Sequence, residues 1–142
     1  MKYLLDTNVL SEIRKAHGHA DVKSFVANLL EEDIFISVLS IGEIYYSIEK
    51  LPDGPKKTEL LLWLTQKLPL RFGKRVLSLD NETMMEWGRL QARIQKTLPV
   101  FDSLIAATAL ARRLTVVTRN TKDFEDIAGL ILFNPWEKTG AD

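Results

Sequence analysis

The stretch Met1-Lys2-Tyr3-Leu4-Leu5-Asp6-Thr7-Asn8-Val9-Leu10 decides how the chain is read. Tyr3-Leu4-Leu5 is a short apolar run that stops at an acid, the pattern of a buried strand. Thr7-Asn8 then offers turn and N-cap chemistry for a helix around residues 9–14. A buried strand passing at once into a helix begins an alternation that the rest of the chain continues.

Outward from this start, Lys15-Ala16-His17-Gly18-His19 is a break, and Asp21 is expected to cap a helix over residues 22–30. Val22, Phe25, Val26 and Leu29 share one face of that helix. Ile34-Phe35-Ile36-Ser37 reads as a second strand, followed by an amphipathic helix over 39–49 capped near Ser37 or Ser40. Leu51-Pro52-Asp53-Gly54-Pro55 is a turn cluster. Helical periodicity returns over 57–68, with Leu60, Leu61, Leu64 and Leu68 as the apolar stripe. A third strand is expected over 76–79 and a helix from Asn81 to about residue 96. Pro99 interrupts, and a small-residue helix follows over 102–113. Thr115-Val116-Val117-Thr118 is a fourth strand, and Ile131-Leu132-Phe133 a candidate edge strand before Pro135. The alternation predicts an α/β fold, an α/β/α sandwich around a central, mostly parallel sheet of four to five strands. No repeat, low-complexity segment or linker divides the chain, so residues 1–142 read as a single domain.

Bulk composition narrows the function. A length of 142 residues suits one domain with a core, and 46% hydrophobic with 27% charged residues is ordinary for a soluble globular protein. Nineteen basic and 19 acidic residues cancel to a net charge of zero. The excess of Lys and Arg that marks many nucleic-acid binders is absent, so such a role would need local basic patches or a dimer that concentrates them. With no cysteine, disulfides, thiolate nucleophiles and cysteine-based zinc sites are excluded. The N-terminal apolar run is too short for a signal peptide, and no stretch approaches the ~20 apolar residues of a membrane span. A cytoplasmic protein is expected.

In open α/β sheets, function gathers beyond the carboxyl ends of the strands. Asp6 directly follows the first strand, and Asp123 lies in the loop after the fourth. Glu43 and Asp102 sit near the starts of helices, which lie above the same sheet edge. Four carboxylates at one cleft would repel one another unless a cation lay between them. All-oxygen ligation suits Mg²⁺ or Mn²⁺, and such ions assist phosphodiester hydrolysis. Each acid alone also has a plainer role. Asp6 and Asp102 could be helix caps, Glu43 a solvated residue between Ile41 and Ile44, and Asp123 the cap of a turn over 124–126. Spacing leaves both readings open.

Four segments together resemble the PIN-domain nucleases, specifically the VapC/FitB-type ribonuclease toxins of type II toxin–antitoxin pairs. They are Tyr3-Leu4-Leu5-Asp6-Thr7-Asn8, Ser37-Val38-Leu39-Ser40-Ile41-Gly42-Glu43, Leu98-Pro99-Val100-Phe101-Asp102-Ser103 and Val117-Thr118-Arg119-Asn120-Thr121-Lys122-Asp123. The motifs follow the family's order across nearly the whole chain, and Asn134-Pro135-Trp136 is similar to the tail of the FitB-like subgroup. The resemblance implies that Asp6, Glu43, Asp102 and Asp123 bind Mg²⁺ or Mn²⁺, with Thr7, Asn8, Thr118 and Asn120 orienting acids or water around them. It implies endonucleolytic cleavage of RNA by a metal-activated water. It also implies a homodimer restrained by an antitoxin that inserts a segment into the cleft, with higher assemblies and operator DNA reached through that antitoxin. Phe101 is bulkier than the residue expected before the third acid.

Other residues carry looser expectations. Lys56 and Lys57 form one basic cluster, Lys67, Arg71, Lys74 and Arg75 a second, and Arg112, Arg113, Arg119 and Lys122 a third. Arg119 and Lys122 flank Asn120 and Asp123 and are the candidates for phosphate contacts, although Arg119 could equally neutralise the acids. Helical spacing predicts one of Tyr45 and Tyr46 toward the core and the other near the cleft or an interface. Trp63 with its leucines makes a helix suited either to full burial or to a partner. His17 and His19 have no partner pattern. Two alternatives differ in class: a receiver-like Mg²⁺-binding phosphoacceptor and a catalytically silent PIN domain acting only in a repressor complex. The receiver scheme wants adjacent acids after the first strand and a late lysine, and residues 6–7 and 131–134 supply neither. A haloacid-type phosphatase wants an acid where Asn8 stands.

Overall fold

In the computed structural model, which describes residues 1–137, Tyr3–Leu5 forms β1, and Asp6 caps helix α1 (Thr7–Arg14) through its own carboxylate. Helix α2 (Ala20–Ala27) follows, then β2 (Ile34–Ser37) and α3 (Val38–Glu49), whose N-cap is Ser37. Residues 55–72 are helical throughout as α4 (Pro55–Leu62), a π-helical turn (Trp63–Lys67) and α5 (Leu68–Phe72). Then come β3 (Val76–Leu77), α6 (Asn81–Arg93), α7 (Val100–Arg112), β4 (Thr115–Val117) and β5 (Leu132–Phe133).

The five strands lie in the order β3-β2-β1-β4-β5 and every pairing is parallel. β1 is central, with Tyr3 opposite Ile34 of β2 on one side and Leu5 opposite Val117 of β4 on the other. The strand period of two divides the apolar side chains between two cores. Leu4, Val116 and Leu77 pack with α6 and α7, whereas Leu5, Ile34, Ile36 and Val117 pack against α1 to α5. This is the expected α/β/α sandwich. Ala106, Ala107 and Ala109 of α7 are buried, and their small side chains let α7 lie close to its neighbours.

The order also separates the chain from a receiver-like domain, whose strands run 2-1-3-4-5. Here the chain moves outward from β1 to β2 and β3 and then returns to the other side with β4. The topological switch point, where crevices form at the carboxyl edge, therefore lies beside β1.

Several local expectations shift. His19 caps α2, its Nδ1 accepting from the Asp21 amide at 3.2 Å, so the helix starts at residue 20 and Asp21 sits in its first turn. β3 is two residues long rather than four, and α6 ends at Arg93. The helix after Pro99 begins at Val100, placing Asp102 in its first turn and not at the cap. The helix expected over 57–68 runs to Phe72 because Pro69 does not end it. Proline lacks an N–H and its ring crowds the carbonyl four residues back; here the preceding turn widens, and the Leu68 amide donates to the Trp63 carbonyl.

Phe72 anchors the far end of that helix at 2% exposure. Phe72→Ala is expected to cost roughly 3–5 kcal/mol of stability by leaving a cavity, measured by urea unfolding. A loss below 1 kcal/mol would show that this helix is not part of the cooperative core.

Candidate active site

Asp6 stands at the carboxyl end of the central strand and is 8% exposed. Its amide continues the sheet by donating to the Val117 carbonyl at 3.0 Å. One carboxylate oxygen, Oδ1, accepts from the Thr7 amide at 2.8 Å, and Oδ2 accepts from the Thr118 hydroxyl at 2.8 Å. Capping and site placement are thus one arrangement, and each oxygen accepts one of these bonds and keeps further acceptor capacity.

Thr118 directly follows β4 and is fully buried. Its hydroxyl gives its single proton to Asp6, and its oxygen accepts from the Asn8 side-chain amide at 3.3 Å and from the Asn120 backbone at 3.1 Å. Asn8 in turn accepts from the Arg119 amide at 3.2 Å. These contacts tie the first turn of α1 to the loop after β4.

A second chain of hydroxyls holds Glu43. The Thr7 hydroxyl lies 2.7 Å from Glu43 Oε1 and 2.8 Å from the Ser40 hydroxyl. An ionised carboxylate only accepts, so the one Thr7 proton goes to Glu43 and Ser40 donates to Thr7. Ser40 is fully buried. It was legible in the sequence only as a cap for α3; that role falls to Ser37, whose hydroxyl accepts from the Leu39 amide at 3.0 Å. The recoverable signal was its place three residues before Glu43, on the same helix face.

Asp102 is half-buried in the first turn of α7, and Asp123 is exposed in a 3₁₀ turn (Thr121–Asp123). Electrostatics links all four acids. Burial first, then the charges of Asp6, Asp123 and Glu43, push Asp102 up to about 6. Burial is also the main force raising Asp6, with a contribution from Asp123, while the Thr118 and Thr7 hydrogen bonds pull the other way. Among the described residues none of the four pairs with Lys, Arg or His. Nor, among those residues, are three or more His, Cys, Asp or Glu side chains already arranged as a metal cage. The carboxylates feel one another across a cleft without converging.

The other expected residues fall into place unevenly. Arg119 does not neutralise the acids: its guanidinium lies over the Trp136 ring, 5.3 Å from the centroid. Its carbonyl accepts from the Asn134 side chain, and His19 tilts against the same indole. Lys122 is exposed. Tyr45 and Tyr46 are both exposed, correcting the expectation of one in the core, and the Lys50 ammonium sits 4.7 Å from the Tyr46 ring. Trp63 is half-buried, with the Arg14 guanidinium 5.9 Å from its ring.

A family profile described as the PIN domain matches residues 3–130. Among curated relatives, the chain is 32% identical over 137 residues to the VapC ribonuclease Y4jK of Sinorhizobium fredii, covering 94% of this chain and 97% of that one. It is 32% identical over 136 residues to the toxin FitB of Neisseria gonorrhoeae, again at 94% and 97%. Among solved structures, a chain of FitAB bound to an IR36 DNA fragment superposes with a TM-score of 0.86 at 29% identity, covering 99% of each. With its motif acids gathered at the carboxyl edge of a 3-2-1-4-5 parallel sheet, the chain belongs to the PIN-domain family.

Proposed function

We propose that the chain, as one nuclease domain, is a divalent-metal-dependent endoribonuclease and the toxin of a toxin–antitoxin pair. The observation that carries this is the electrostatic coupling of Asp102 to Asp6, Asp123 and Glu43 near the switch point, with none of the four in a salt bridge among the described residues. The relatives named as a VapC ribonuclease and a FitB toxin supply the reaction class.

The donor set fits a hard cation: all oxygen, anionic and uncompensated. Asp6, Glu43, Asp102 and Asp123 would hold Mg²⁺ or Mn²⁺, which supplies the positive charge and Lewis acidity that phosphodiester hydrolysis needs. Thr118 and Thr7 keep the Asp6 oxygens aimed into the cleft, and Thr7 with Ser40 does the same for Glu43. Asn8 and the Asn120 amide fix the Thr118 hydroxyl so that its proton has one destination. Lys122, beside Asp123, is placed to meet a substrate phosphate, and Arg119 is oriented by Trp136 for the same task.

A solved neighbour is a FitAB complex bound to an IR36 DNA fragment. The proposed assembly is therefore a homodimer bound to a cognate antitoxin, with operator DNA reached through the antitoxin. Among the described residues no helix is long and apolar enough to cross a membrane, and the proposed location is the cytoplasm, where RNA is at hand.

Purified, antitoxin-free protein is expected to cleave RNA with Mg²⁺ or Mn²⁺, and Asp102→Asn to abolish cleavage while keeping the wild-type circular dichroism spectrum. Asp6→Asn abolishes it too, at a cost of about 1–2 kcal/mol because one acceptor then faces two donors. Wild-type rates in either variant, or no metal-dependent cleavage by the parent, would sink the proposal. Ser40→Ala is expected to weaken Mn²⁺ binding roughly tenfold, and Ser40→Thr to restore it; titration calorimetry reads both, and unchanged binding removes Ser40 from the site.

The metal-free protein should also report the clustered charge through its pH dependence. Asp102 holds its proton more tightly when folded than when unfolded. Its contribution to stability is therefore greatest below 3.8 and is lost as pH rises through about 6. With chelator at pH 8, Asp102→Asn should be more stable than wild type by roughly 1 kcal/mol, after allowance for solvent screening. Mg²⁺ should raise the wild-type Tm and leave that of the variant nearly unchanged; equal responses in thermal unfolding would count against a shared cation site.

A further inference from the structure

A groove of about 750 Å³ opens directly off the acid cleft, sharing Thr7 and Glu43 with it. It runs between α1, α3 and α4 and ends at Trp63, the first residue of the π-helical turn. Its volume lies within the roughly 300–1,000 Å³ of sites that enclose small ligands, the size class of a nucleotide. π turns are rare and are often found at functional sites.

The lining has a particular chemistry. Tyr46 is 64% exposed and Phe101 42% exposed, and both face this groove. Arg14 and Lys56 also line it, and among the described residues neither forms a salt bridge. The stacking of Arg14 on Trp63 limits its rotamers, so its N–H groups are presented with little further ordering. Glu43, at the cleft end, is the one acid in the lining. Phe101 and Tyr46, the latter carrying the Lys50 ammonium at its ring, beside Arg14 and Lys56 and with one acid in the lining, match an occupant that alternates flat rings with anions. Unpaired RNA is such a polymer: its bases stack on aromatic side chains and guanidinium planes, and its phosphates take cations. A duplex keeps its bases stacked and cannot insert one.

We propose that this groove is a substrate subsite that seats an unpaired nucleotide next to the scissile phosphate, its base against Tyr46 and Phe101 and its phosphate toward Arg14 and Lys56. Continuity with Thr7 and Glu43 supports that placement, because a strand cleaved at the acids must lead away from them along the surface. Phe101, the bulky residue before Asp102, then forms one wall of the subsite. The inference rests on the ribonuclease reading of the acid cleft.

The test uses full-length protein and a fluorescein-labelled single-stranded RNA that the wild type cleaves. Binding is read by anisotropy in the cleavage-blocked Asp102→Asn background, and KM and kcat in the active one. Tyr46→Ala is expected to weaken binding about tenfold, with the loss falling more on KM than on kcat, and Tyr46→Phe to restore it. Lys56→Ala is expected to flatten the dependence of log K on log salt by about 0.7 for the lost phosphate contact, whereas Tyr46→Ala leaves that slope alone. Wild-type affinity and slope in both variants would overturn the subsite while leaving the nuclease reading standing. Retained RNA binding with lost binding of the cognate antitoxin would also overturn it, by making the groove a protein-docking surface. A wild-type protein that neither binds nor cleaves RNA would instead remove the nuclease reading and the subsite with it.

Discussion

A carboxylate sealed at the end of a central strand must be satisfied by the protein, and here the Thr118 hydroxyl does it. Burial alone drives Asp6 toward its neutral form, which would make it a poor ligand for a cation. The hydrogen bonds from Thr118 and the Thr7 amide oppose that drift. The direction of the Thr118 bond is set by arithmetic: the oxygen already accepts from Asn8 and Asn120, so its single proton goes to Asp6. β1, β4, α1 and the loop after β4 are all held in register by this one group.

The same economy governs charge. In a molecule with no net charge, the salt bridges among the described residues leave out Asp6, Glu43, Asp102 and Asp123. Arg71 and Arg75 close on Glu31, Arg112 on Asp80, and Lys96 on Asp126. Arg119, four residues before Asp123, is turned onto an indole. Burial first, and then the charges of Asp6, Asp123 and Glu43, raise Asp102, and no salt bridge among the described residues offsets that push.

Much of this could be read from residues alone, for identifiable reasons. β1, β2 and β4 are apolar runs bounded by turn chemistry, and a parallel sheet follows from their alternation with helices. Asp6 and Asp102 were legible because strand ends and helix starts share one edge. The sequence could not reveal strand order, which depends on which crossover lies on which side of β1. His19 as a cap was hidden because imidazole is an unusual cap and Asp21 an obvious one. The helix expected over 57–68 ran on to Phe72 because a widened turn accommodates Pro69, which periodicity alone does not register. The pair Tyr45-Tyr46 misled because helical periodicity assigns faces relative to a partner, and α3 presents both residues to solvent. Ser40 was invisible as a site residue because its role runs through Thr7, a contact spanning 33 positions.

That long-range wiring bears on how the protein is made. The hydroxyl that holds Asp6 is made 112 residues after it. β1 can pair with β2 once residues 34–37 have emerged, but its other neighbour, β4, follows about 80 residues behind β2. At roughly 5–20 residues per second, synthesis leaves about 6–22 seconds between Asp6 and Thr118. Throughout that interval the nascent chain carries Asp6 without Thr118 and has no completed sheet edge. The order of the strands thus delays the Asp6–Thr118 contact until β4 has been made.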